Sequence, residues 1–114
     1  MQFGQDFEKI FFRLSLEKVK YLQAIKSGFY TSEEIDALSF LANKFYTKFN
    51  ETPTKEQLAL LVQNHPKSKE SVSENILNII FDVDLHQYDE EWLTSTAESW
   101  IKWRTFNTSF TDTI

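Results

Sequence analysis

Apolar residues recur at helical spacing through most of the chain, and the longest clean run lies between Gly28 and Leu61. Ile35, Leu38, Leu41, Ala42, Phe45, Tyr46 and Phe49 form one stripe. Glu33, Asp36, Asn43, Lys44 and Lys48 occupy the opposite face, so the pattern predicts an amphipathic helix. Thr31 with Glu34 three residues later has the spacing of a capping box. Asn50, Thr52 and Pro53 break the pattern, since a proline pushes the residue before it out of the helical region. Thr54 and Gln57 then repeat the box spacing, and Leu58, Leu61 and Val62 begin a second stripe. Residues 28–61 therefore read as helix, tight polar turn and helix, and the core is expected to centre on Ile35 to Leu61. On that expectation, Phe45→Ala costs about 3–5 kcal/mol by removing a buried ring.

Before this stretch, Asp6 is placed to cap a first helix with Phe7, Ile10, Phe11 and Leu14 on one face, and Phe3 to staple against it. Ser15 reads as the next cap, followed by the stripe Val19, Leu22 and Ile25, with Ser27-Gly28 as terminator. Phe29 and Tyr30 fall in a turn, where adjacent rings fold back over a core. After the fourth helix, residues 65–69 read as an exposed loop around Pro66. Ser71 and Glu74 have box spacing ahead of a fifth helix carrying Val72, Ile76, Leu77, Ile79, Ile80 and Val83. Residues 82–88 read as an acidic loop, and Asp89 as the cap of a last helix that runs on to Ile114. The sequence thus predicts an all-α protein: a compact six-helix orthogonal bundle in one domain, with a head to about residue 101 and a protruding helix from about 102.

Composition narrows the function classes. The chain has 114 residues, 41% hydrophobic and 16% aromatic, enough for one real core. There is no cysteine, hence no disulfide and no thiolate metal site. No apolar run approaches a membrane span and no leader pattern opens the sequence, so the expectation is a cytoplasmic protein. The net charge of -5 argues against a phosphate-gripping nucleic-acid module. Residues 31–63 have a helix-turn-helix outline, but Lys55 is the one basic residue in what would be the reading helix. A phosphate cradle needs clustered glycines, and the two glycines, Gly4 and Gly28, stand far apart. His65 and His86 fall in separate loops with no helical spacing to join them in a metal site. The acids Asp82, Asp84, Asp89, Glu90 and Glu91 lack the glycine and ligand spacing of a calcium loop. They read as a solvated approach to a helix N-terminus. No catalytic residue, cofactor site or metal site is assigned.

The order of several pieces then resembles a family. These are Gly28-Phe29-Tyr30-Thr31, Pro53-Thr54 with Leu58, the apolar fifth helix and the acidic loop, followed by Trp92-Leu93, Glu98, Trp100-Ile101, Arg104 and Phe106-Asn107. Over nearly the whole chain they resemble the N-terminal domain of DnaB-type replicative DNA helicases, the phage-T4-like branch in particular. The resemblance implies a non-catalytic domain that assembles in one tier of a hexameric ring and docks primase or a helicase loader at the replication fork. It implies little direct DNA binding and no membrane, and it places ATP and Mg in a motor domain outside these residues. In the family the last helix continues into a helical hairpin, so this chain looks like an excised or stand-alone head. Two alternatives stay open: a stand-alone loader or primase-type helicase-interaction domain, and a small DNA-binding regulator.

The last helix carries two directions. At about 100° per residue, Leu93, Ala97, Trp100 and Ile101 point one way. Trp103, Phe106, Phe110 and Ile114 point roughly a quarter turn away, with Trp92 near them. The second set is the candidate surface for self-association, since large exposed rings in a group mark interfaces. The alternative is a curved helix wrapping one core. Arg104, beside the first set, is expected to meet an acid of the head.

Overall fold

In the computed structural model, the backbone is described for residues 5–25 and 28–113, and side chains for 7–25 and 28–106. Among these residues the chain is helical throughout, with no strand. Its elements are α1 (Gln5–Glu17), α2 (Val19–Ala24), α3 (Glu33–Phe49), α4 (Lys55–Gln63), α5 (Pro66–Ser71), α6 (Glu74–Phe81), a 3-10 turn (Leu85–Gln87) and α7 (Glu90–Thr113). The all-α class read from periodicity holds, with seven α-helices among the described residues in place of six.

Locally encoded boundaries form as read. Asn50 closes α3 in the left-handed region at φ 59°, donating its backbone N–H to the Tyr46 carbonyl. The Thr54–Gln57 box is complete, with each residue's side chain accepting from the other's backbone N–H. Asp89 caps α7 by accepting from the Trp92 N–H at 2.9 Å.

Other boundaries differ, and the reasons are physical. Helix α1 already includes Asp6, whose side chain lies outside the described residues, as does Phe3. Ser15 does not open a second helix. It is buried inside α1 and donates backward to the Phe12 carbonyl at 2.6 Å, which satisfies its hydroxyl without ending the helix. The break comes at Lys18, whose backbone is extended. Residues 66–71 form α5 instead of a loop, because His65 Nδ1 accepts from the Ser68 N–H and Pro66 suits the first turn. The Ser71–Glu74 box does not form, since Ser71 ends α5 and Ser73 precedes α6. In the acidic loop, Asp84 accepts from the His86 N–H and sets up the 3-10 turn that buries Leu85.

The core is not centred where the long helical pattern placed it. Its largest fully buried side chains are Trp100 from α7 and Phe11 and Phe12 from α1, joined by Leu22, Ile35, Leu38, Leu58 and Ile80. Helix α3 contributes its first half, including Leu41 and Ala42. Its stripe then runs past the core: Phe45 and Tyr46 are half-buried, and Phe49 is 53% exposed. The periodicity is real but outlasts the surface it can cover. The Phe45 ring packs on Phe49 at 4.7 Å, outside the buried cluster. Phe45→Ala is therefore expected to cost about 1–2 kcal/mol, below the full-burial value. Chemical unfolding checks this, and a loss above about 3 kcal/mol would return Phe45 to the core.

Candidate functional site

The turn of residues 28–32 and helix α7 form one joint, built from pieces far apart in sequence. Trp100 lies at its centre, fully buried. Its ring packs against Phe11 at 4.4 Å, Phe29 and Tyr30 at 5.4 Å each, and Phe7 at 6.2 Å. Phe29 and Tyr30 thus fold back onto aromatic neighbours as expected of adjacent rings in a turn. The Trp100 Nε1–H has no hydrogen-bond partner among the described residues, nor has the Tyr30 hydroxyl. Burial raises the Tyr30 pKa well above the ordinary tyrosine range.

Three polar contacts fix the turn's backbone. Gly28 sits at φ +85°, a conformation that strains L side chains even where space is open, as it is here. Its N–H donates to both carboxylate oxygens of Asp36, at 2.8 and 3.0 Å. The Glu8 carboxylate, buried on α1, accepts from the Thr31 N–H, the Thr31 hydroxyl at 2.6 Å and the Ser32 N–H at 3.1 Å. Arg104 donates from Nε to the Phe29 carbonyl at 2.6 Å, and its guanidinium lies over the Phe29 and Trp103 rings.

This geometry corrects the first capping box. Thr31 lies one residue outside the cap of α3, and its N–H and hydroxyl both donate to Glu8, which leaves no Thr31 N–H for Glu34. The cap moves to Ser32, which accepts from the Ile35 N–H. Glu34 accepts from the N–H and hydroxyl of Ser73, both at 3.0 Å, and so ties α3 to the start of α6. Glu8 was the residue most completely missed. Its signal was available: it lies one turn before Phe12 on α1, a carboxylate on the buried face of an aromatic helix.

The candidate association residues divide. Trp103 is half-buried and packs against the core. Phe106 is 70% exposed. The side chain of Phe110, and Ile114 altogether, lie outside the described residues. On the same helix Trp92 is 47% exposed and stacks on Tyr88 at 5.5 Å. Ser95 and Ser99 are also exposed.

The open clefts hold little chemistry. A groove of about 390 Å³ between α2 and α3 is lined by Gln23, Ser39, Phe40, Asn43 and Lys44, with Asp36 already engaged by Gly28. Among the described residues, no group of three or more His, Cys, Asp or Glu is placed to hold a metal ion. No described helix is long and apolar enough to cross a membrane. No family model, curated protein or solved structure matches this chain.

Proposed function

We propose that this chain is a non-catalytic protein-docking head. In this reading it is the N-terminal domain of a DnaB-type replicative helicase, associating with copies of itself and receiving primase or a loader. The observation that supports the reading is the convergence of the sequence pieces on which the resemblance rests. Trp100 and Arg104 both grip the Phe29-Tyr30 turn, although Arg104 and Phe29 are 75 residues apart. A joint of this kind fixes the direction in which α7 leaves the head, and that direction matters in a domain that presents a helix to neighbours. Aromatic side chains on the outer face of α7 supply the anchors that protein interfaces use. ATP and Mg belong to the motor domain in this reading, so the 114 residues alone turn over no ATP.

The deciding test is the coding frame beyond codon 114. It is expected to encode a further helical arm, a linker and a motor domain with a glycine-rich phosphate loop. The full-length product is then expected to form rings and unwind DNA with ATP, and removing residues 1–114 to abolish stimulation of its primase. A stop codon or an unrelated domain in that frame would overturn the helicase assignment in favour of a stand-alone adaptor.

A further inference from the structure

Helix α5 is capped by an imidazole. His65 precedes the helix with an extended backbone, and its Nδ1 accepts from the Ser68 N–H at 3.2 Å. The Ser68 hydroxyl lies 2.9 Å from the same nitrogen, and Ser68 is buried. A ring nitrogen that accepts carries no proton, so in this geometry His65 is neutral with its proton on Nε2. The caps of α3, α4 and α7 are the oxygens of Ser32, Thr54 and Asp89, which remain acceptors through the neutral and mildly acid range. An imidazole differs: it loses its acceptor when it takes a proton, and ordinary imidazoles do so between about pH 5 and 8.

We propose that His65 is a proton-operated latch on α5: the neutral ring holds the first turn closed, and the imidazolium releases it. A protonated Nδ1 can still donate to Ser68 Oγ, but the Ser68 N–H then has lost its acceptor and faces a cation at the positive end of a helix. At six residues, α5 is too short to keep that turn on helix propensity alone. The charges around the ring act in the same direction. Glu33 and Asp36 of α3 and Lys67 of α5 line the cleft that holds His65, and Lys44 stands over the Phe40 ring, 6.2 Å from the imidazole. Lys69 lies on the side of α5 toward α4 and α6. Among the described residues α4, also packed on α5, adds no charged side chain to the His65 cleft. Asp36 already accepts from the Gly28 N–H, which leaves Glu33 as the carboxylate to which an imidazolium can turn. Lys67 and the helix end disfavour a charged ring that stays at the cap, and Glu33 favours one that leaves it. Release uncovers Ser68 and the Ala37–Phe40 face of α3, which line the same cleft. The cap's contribution is present while the ring is neutral and is lost as the pH falls through the imidazole range. This latch does not depend on the helicase reading.

The test follows the Ser68 amide by hydrogen exchange in the wild-type chain and in His65→Asn, because asparagine caps a helix without titrating. Each rate is divided by that of an unstructured peptide at the same pH. In wild type the corrected rate at Ser68 is expected to rise about fivefold between about pH 7.5 and about pH 5.5, the yield of losing one cap. Lys69, whose N–H donates to the His65 carbonyl, is expected to follow, while core amides such as that of Leu38 stay unchanged. In His65→Asn the Ser68 rate is expected to change by less than about twofold over the same range. The ¹⁵N shifts of the wild-type ring supply a reading that needs no variant, and the Nε2–H tautomer is expected at about pH 7.5. An Nδ1–H tautomer there would overturn the latch. So would a wild-type Ser68 rate that ignores pH, or an equal acid quickening in His65→Asn.

Discussion

Trp100→Ala is expected to destabilise the chain by about 3–5 kcal/mol, among the largest losses available to one substitution. Trp100 is fully buried and touches rings from α1 and from the 28–32 turn, so its removal opens a cavity at a junction of three segments. These neighbours cannot all collapse inward: Phe29 is held through its carbonyl by Arg104, and the backbone after Tyr30 is held by Glu8. Trp100→Phe is expected to cost less, about 1–2 kcal/mol, because most ring contacts survive and the removed group is a buried N–H with no partner among the described residues. Equilibrium urea unfolding of both variants provides the comparison. If the alanine variant loses less than about 1 kcal/mol, Trp100 is not a core residue and the joint is wrongly built.

The boundaries legible in the sequence are those whose partners lie within one helical turn. Thr54 with Gln57 and Asp89 with Trp92 are each three residues apart, and among the described residues nothing distant competes for them. The boundaries that were misread depend on distant partners. Thr31 has the right spacing to Glu34, but Glu8 takes its donors from 23 residues away, and Glu34 turns to Ser73, 39 residues on. A local motif states what a segment can do alone, whereas a buried carboxylate from another helix offers stronger bonds to the same donors. Helix α3 shows the same limit for packing. Its apolar stripe gave the right helix and buried face, but periodicity does not say how far the opposing surface extends, so Phe45 and Phe49 were read as core. On α7 the shift between stripes was visible in sequence. Its first direction faces the head, while Trp103 at the edge of the second still touches the core.

Glu8→Ala is expected to cost about 3–4 kcal/mol, a large effect for a residue that the helical pattern leaves unmarked. Three donors converge on its carboxylate: the Thr31 N–H, the Thr31 hydroxyl and the Ser32 N–H. Truncation leaves them partly buried without acceptors, at about 1–3 kcal/mol for each group that water does not reach. The carboxylate also lies at the start of α3, where a negative charge favours the helix dipole. Glu8→Gln keeps the shape but loses the charge and turns one acceptor into a donor facing other donors, so about 2 kcal/mol is expected. Ser32→Ala supplies the scale, because it removes only the local cap of α3, typically worth about 1 kcal/mol. The expected order of loss is Glu8→Ala, then Glu8→Gln, then Ser32→Ala, read from chemical unfolding at neutral pH. Amide hydrogen exchange is expected to quicken at Thr31 and Ser32 in both Glu8 variants. If Ser32→Ala proves the costlier change, the local cap holds the start of α3, and the buried carboxylate does not anchor the turn.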